Sequence, residues 1–231
     1  MSTSPEHKSG VWIAVGDIHD DSGNFAKIPE LKEADGVIVT GDLTITGGER
    51  QARQVMDAIE STGLPVLAQI GNMDREEVNS YLTGKNCNIH CQVRELAPDI
   101  AVMGLGGSTF TPFSTPSEFP ESAFATWLDE MWPRARKFRH VVLVSHTPPK
   151  DTTCDDIGGN THVGSEAVRD FIVDNQPDIC ICGHIHEARS IDRIGRTIIV
   201  NPGQLSQGGY VILREDNGSL SVELGQTAAE E

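Results

Sequence analysis

The sequence predicts an α/β fold with parallel strands and covering helices. Three observations carry that expectation. The first 70 residues alternate β-rich runs (11–15, 37–40, 65–70) with helical patterning, the β-α-β-α-β order of a parallel sheet. Five β-rich runs end in Asp, Asn or His, as buried strands do when they deliver a side chain to a sheet edge. No Pro/Ser-rich linker or charge block divides the 231 residues, a length that suits one domain with a substantial core. Residues 10–225 are therefore expected to form a single domain, between a disordered tail at 1–9 and a frayed one at 226–231.

Residues 11–15 read as a strand feeding GDIHD. A short helix is expected after Gly23, kinked or ended by Pro29, which cannot donate a backbone hydrogen bond. After the strand at 37–40, residues 49–62 place Ala52, Val55, Met56 and Ile59 on one helical face. The third strand is 65–70. Residues 86–106 are strand-like and end in MGLGGS; 107–120, GSTFTPFSTPSEFP, are turn chemistry. A helix follows with Phe124, Trp127, Leu128 and Met131 on one face, then a strand at 140–144. Residues 147–163 form a long polar, Gly-rich loop and 165–174 a helix. From Asp178 onward the pattern is strands and hairpins, including TIIVNPG at 197–203.

The formal net charge is −16, which argues against a partner such as long nucleic acid, since polyanion binding needs a cationic face. The N-terminal MSTSPEHKSG lacks the apolar core of a signal peptide, and no run approaches the ~18 apolar residues of a membrane span. Five cysteines make an odd set without zinc-knuckle spacing, which suits a reducing, cytoplasmic setting. Cys180 and Cys182 alternate within an apolar run and read as packing. Cys87 and Cys91 flank His90 in NCNIHC, where a metal site and simple packing are both open.

The five run ends are VGDIH at 15–19, VIVTGD at 37–42, IGNMD at 70–74, VSH at 144–146 and ICGHIH at 181–186. Each supplies side chains that bind divalent metals. Asp17 and His19 are two apart, so on extended backbone both reach one ion. His184 and His186 share that spacing, and curvature at the strand end turns each to a different ion. Paired catalytic ions sit ~3.5–4 Å apart and need a shared bridge, usually a carboxylate. Asp42 fits that part, with Gly41 permitting the sharp turn before it. A single Asp-x-His is equally a turn cap beside a surface histidine; five such runs in order are not explained that way.

GDIH, GDLT, GNMD, VSHTPP and GHIH resemble the ordered signature of the calcineurin-like metallophosphoesterases, over residues 11–203. The resemblance implies a four-layer α/β sandwich of two mixed sheets flanked by helices, with a dinuclear site at one edge. It also implies that Asp17, His19, Asp42 and His186 hold one ion, and Asp42, Asn72, His146 and His184 the other. The ligands are nitrogen and oxygen only, which suits Mn first, with Fe, Zn or Ni as alternatives. Two dications against two carboxylates leave about +2, enough to draw a small phosphate ester to an acidic protein. A water bridging the ions is the expected nucleophile, attacking in line with the P–O bond.

One position departs from the family pattern. Most members resemble GNH followed by Asp or Glu, where that His assists the leaving group; this chain has Met73, which neither donates a proton nor carries charge. Asp42, Asn72, Asp74 and His162 are the expected catalytic residues, Asp74 by orienting a neighbour and His162 as a substitute acid. Phe110, Phe113 and Phe119 either stack on a nucleobase or aryl group or anchor their loop. Asn201-Pro202-Gly203 is expected to position the site. The expected activity is hydrolysis of small phosphodiesters. A phosphomonoesterase and a non-catalytic binding module on the same fold are the alternatives.

Overall fold

The computed structural model describes residues 9–228. In chain order its strands are β1 (Gly10–Val15), β2 (Gly36–Val39), β3 (Val66–Ala68), β4 (Gln92–Ala97), β5 (Ile100–Leu105), β6 (His140–Ser145), β7 (Ile179–Ile181), β8 (Ser190–Ile194), β9 (Thr197–Asn201), β10 (Gly209–Asp216) and β11 (Ser219–Gln226). Its helices are α1 (Glu49–Glu60), α2 (Glu76–Gly84), α3 (Glu121–Ala135) and α4 (Glu166–Asn175).

Two mixed sheets result, with strand orders β11-β10-β1-β2-β3 and β4-β5-β6-β7-β9-β8. β1, β2 and β3 run parallel, as do β5, β6, β7 and β9; antiparallel pairs form the edges. The alternation within each strand explains the stacking. Ile13 and Val15 of β1 pack with Val55, Met56 and Ile59 of α1, while Trp12 and Ala14 face Val142, Val144 and Ile181 of the second sheet. On that sheet's far side Met103, Leu143 and Cys180 pack under Phe124 and Leu128 of α3 and Ile172 of α4. The layers are thus helix, sheet, sheet, helix, as four-layer α/β architecture requires. Strands buried on both faces read as near-continuous apolar runs, which is why β2, β5, β6 and β7 are so plain in the sequence.

Three elements of the structure differ from those expected. The helix expected after Gly23 is two 3₁₀ turns, Phe25–Lys27 and Pro29–Lys32. Pro29 forces its predecessor Ile28 into extended backbone (φ −70°, ψ 113°). Helix α2 is not evident from the sequence because its nine residues bury only Val78, Tyr81 and Leu82; the acidic pair Glu76 and Glu77 at its start is its one mark. At the C-terminus order continues past 225. Gln226 closes β11, and the Thr227 N–H donates to the Gly208 carbonyl at 2.9 Å. Of the two expected tails, residues 1–8 and 229–231 lie outside the described residues.

All five cysteines are free, and Cys180 and Cys182 pack in the α3/α4 core. His90 of NCNIHC joins no metal-ligand group among the described residues. Its Nδ1 accepts from the Gly106 N–H at 3.0 Å, and its ring lies against Phe119 and Trp127. Burial drives its pKa down from 6.5 to about 4. Between those values the unfolded chain binds the extra proton, so the stability from neutral His90 is complete above 6.5 and lost as pH falls toward 4. Discounted for partial exposure, the loss is about 2 kcal/mol. Urea unfolding at pH 7.5 and 4.5 is expected to show a larger acid loss for the wild type than for His90→Gln. Equal losses would contradict this account.

Candidate metal centre

Every ligand-bearing loop leaves the C-terminal end of a parallel strand, where open α/β sheets place their sites. Asp17 and His19 follow β1, Asp42 follows β2, Asn72 follows β3, His146 follows β6, and His184 and His186 follow β7. Four of them sit in left-handed backbone: Asp17 (φ +50°), His19 (+48°), Asp42 (+51°) and His184 (+68°). Left-handed residues cost about 1–2 kcal/mol each, with Asp and His among the better-tolerated types. The extended Asp17–His19 segment read from the sequence is corrected accordingly: a left-handed turn, not the strand pleat, gathers the two side chains. The following segment is pinned to its neighbour, with the Ile18 and His19 N–H groups both donating to the Asp42 carbonyl.

The side chains converge. His186 Nε2 lies 3.2 Å from Asp17 Oδ1 and 3.1 Å from His19 Nε2. Asp42 Oδ2 lies 3.7 Å from His19 Nε2 and 3.4 Å from His146 Nε2, between the two ring systems. His146 Nε2 is 3.1 Å from Asn72 Oδ1, and the His146 and His184 ring centroids are 5.3 Å apart. Donor atoms of Asp17, His19 and His186 lie within 4.8 Å of one another, as do those of Asp17, Asp42 and His146. Asp17 thus borders both groups rather than one, and its carboxylate also accepts from the His184 N–H.

The donor chemistry fits a pair of cations. His146 Nδ1 lies 3.2 Å from the Thr40 carbonyl, which can only accept, so Nδ1 carries hydrogen and Nε2 presents a lone pair. That lone pair faces Asn72 Oδ1 and Asp42 Oδ2, two further electron-pair donors. In a metal-free protein a proton answers this crowding. Burial works against a charge on His146, but Asp42 and then Asp17 outweigh it and raise its pKa to about 9. Burial likewise opposes ionisation of Asp42, yet His146 and His19 hold its pKa below the usual carboxylate value. Burial, reinforced by His146, pushes His184 down to about 4, so its ring stays neutral. A metal bound at His146 Nε2 would therefore have to displace a proton.

Close backbone approach sets the loops. A Cβ on Gly41 (φ +128°) would meet His146 Nδ1 at 2.6 Å, and one on Gly71 would meet Asp42 Oδ1 at 2.1 Å. The Met73 N–H donates to Asp42 Oδ1 at 2.8 Å. Asp74, expected to act by orienting a neighbour, makes its contacts to the loops that carry Asp42 and Asn72. It is buried, with Oδ2 accepting from the Leu43 and Gly71 N–H groups and Oδ1 from the N–H and Oγ1 of Thr44. It thereby staples the Asp42 loop to the Asn72 loop; burial and then Asp42 push its pKa up to about 7. His162 lies outside both ligand groups, its Nδ1 2.8 Å from Asp155 Oδ1.

Residues not read from the sequence complete the surroundings. Gln69, buried between the sheets, directs Nε2 at the Thr40 carbonyl of one sheet and the Leu105 and Val144 carbonyls of the other, at 3.1–3.2 Å. A glutamine inside an apolar run was its only signal. Asn201, by contrast, is expected from the sequence to position the site, and its Nδ2 donates to the Ile185 and Cys154 carbonyls, holding the His184–His186 loop. Phe119 packs on His90 and Trp127, while Phe110 and Phe113 are 71% and 81% exposed and Ile45 57%. The anchoring reading therefore suits Phe119 and not the other two. Among the described residues no helix is long and apolar enough to cross a membrane.

Comparison with known proteins gives a consistent result. The calcineurin-like phosphoesterase family model matches residues 12–188. The uncharacterized protein MJ1162 of Methanocaldococcus jannaschii is 35% identical over 221 residues, covering 89% of this chain and 96% of that protein. Among solved structures, TT1561 of Thermus thermophilus matches with a TM-score of 0.72 at 18% identity, covering 96% of this chain and 100% of that one. A putative 5'-nucleotidase from Staphylococcus aureus matches with a TM-score of 0.61 at 16% identity, covering 97% of this chain and 55% of that one. At those identities the two structures speak for the fold alone.

Proposed function

Since the chain belongs to the calcineurin-like phosphoesterase family, we propose that it hydrolyses small phosphodiesters with the help of two divalent ions, manganese first among them. The observation that carries this reading is the position of Asp42 Oδ2, between His19 of one ligand group and His146 of the other. Asp17, His19, Asp42 and His186 would hold one ion, and Asp42, Asn72, His146 and His184 the other. Divalent ions held there would supply Lewis acidity, which would activate water for in-line attack and neutralise charge on the phosphoryl oxygens.

The protein's own contribution is orientation. Asp74 fixes the two sheet-one loops, Asn201 the His184–His186 loop, and the Thr40 carbonyl the His146 tautomer. Met73 has no proton to give; His162, outside both ligand groups, is the remaining candidate donor, with Nδ1 held by Asp155 and Nε2 left to carry the proton. Good leaving groups such as aryl oxides fit this site best. The net charge of −16 supports a small substrate over long nucleic acid, and five free cysteines support a cytoplasmic setting.

The test is metal-free protein reconstituted with Mn, Fe, Zn or Ni and assayed on paired aryl phosphodiesters and monoesters. Diester hydrolysis led by the manganese form is expected. Faster monoester hydrolysis would overturn the diester assignment, and two bound ions with no ester cleaved would favour a binding module.

A further inference from the structure

We propose that Thr115 and Glu118 are positioning residues that fix which end of the Asn72 side chain faces the metal centre. The inference rests on the two-ion reading above and concerns a loop, 109–118, that carries none of its ligands. An amide is nearly symmetric in shape but not in chemistry: Oδ1 can ligate a cation, and the Nδ2 hydrogens repel one. Something must decide between the two orientations.

The hydrogen-bond directions supply the decision. Asn72 Nδ2 lies 2.9 Å from Thr115 Oγ1. A threonine hydroxyl both donates and accepts, so by itself it would tolerate either end of the amide. Thr115 Oγ1 also lies 2.7 Å from Glu118 Oε1. A carboxylate only accepts, so the Thr115 hydrogen goes to Glu118 and leaves a lone pair for Asn72. Only Nδ2 can donate to that lone pair, and Oδ1 is turned to His146 Nε2 at 3.1 Å. Glu118 is itself held, with Oε1 accepting from the Thr115 N–H at 2.7 Å and Thr111 Oγ1 at 2.6 Å. The chain continues into the ligand loop. The Ser117 N–H donates to the Asn72 carbonyl at 3.0 Å and Ser117 Oγ to the Asp74 carbonyl at 2.6 Å. Donation therefore runs one way, from Asn72 to Thr115 to Glu118.

The experiment is manganese titration of the metal-free full chain by calorimetry, with electron paramagnetic resonance of the loaded protein, for wild type, Thr115→Val, Glu118→Ala and Thr115→Ser. Thr115→Val keeps the side chain's shape and removes the hydroxyl. It and Glu118→Ala are expected to weaken one of the two manganese sites by ~10–100-fold, the usual cost of losing a ligand's outer partner. The other site, and the far-ultraviolet spectrum, should be unchanged. Thr115→Ser should restore wild-type binding. Equal weakening of both sites would mean general loosening and overturn the assignment, as would Thr115→Val binding within twofold of wild type at both. A wild type that takes up fewer than two ions would instead overturn the two-ion reading, and this relay with it.

Discussion

Asp42→Asn is expected to abolish phosphoester hydrolysis and to leave the purified protein with at most one bound ion in place of two. The reason is geometric. Asp42 Oδ1 accepts the Met73 N–H at 2.8 Å, while Oδ2 points between His19 and His146. An asparagine must choose. With its oxygen toward Met73, its amide hydrogens face the ions; with its oxygen toward the ions, they oppose the Met73 N–H. Either way one negative charge is lost where the two proposed cations would meet. Loss of an outer partner alone costs ~10–100-fold in metal affinity or activity, and removal of the bridge should exceed that range. Metal analysis of the purified variant, beside its melting curve, is the check. Wild-type metal content with wild-type turnover would refute the bridging role.

Met73→His is expected to raise turnover on esters with poor leaving groups by ~10², the lower end of the ~10²–10⁴ range of general-acid assistance. The contact that ties position 73 to Asp42 comes from the backbone N–H, so the substitution leaves it in place. The Met73 side chain is half-buried at the edge of the site, and an imidazole there supplies the proton that thioether chemistry cannot. Aryl esters, whose leaving groups need little help, should respond less. Turnover of alkyl and aryl diesters at equal metal content separates the two effects. An unchanged or lower alkyl rate would contradict the role given to this position.

The site's address was plain in the sequence and its internal arrangement was not. Buried parallel strands are apolar on both faces, so β2, β6 and β7 stood out, and the polar residues ending them marked one sheet edge. The left-handed turns at Asp17, His19, Asp42 and His184 left no trace, because a non-glycine residue in that region carries no compositional mark. Asp17, expected on one ion, also lies near the donor atoms of Asp42 and His146, a matter of loop curvature that spacing does not encode. Thr115 and Glu118 lie in a stretch whose composition marks only turn chemistry. The Thr115 tie to Asn72 spans 43 residues of chain, and only the folded sandwich closes that distance. Helix α2 was hidden for the opposite reason: too few apolar positions to show a period.

Gln69 gives the centre an unusual kind of memory. The ligands are divided between loops of one sheet and loops of the other, so the cations would sit astride a seam. One carboxamide reaches across to carbonyls on both sides and, with the apolar core between the sheets, ties that seam by contacts that involve no ion. A departing metal would therefore leave its seats in register, and the next could dock without the chain having to search for them again.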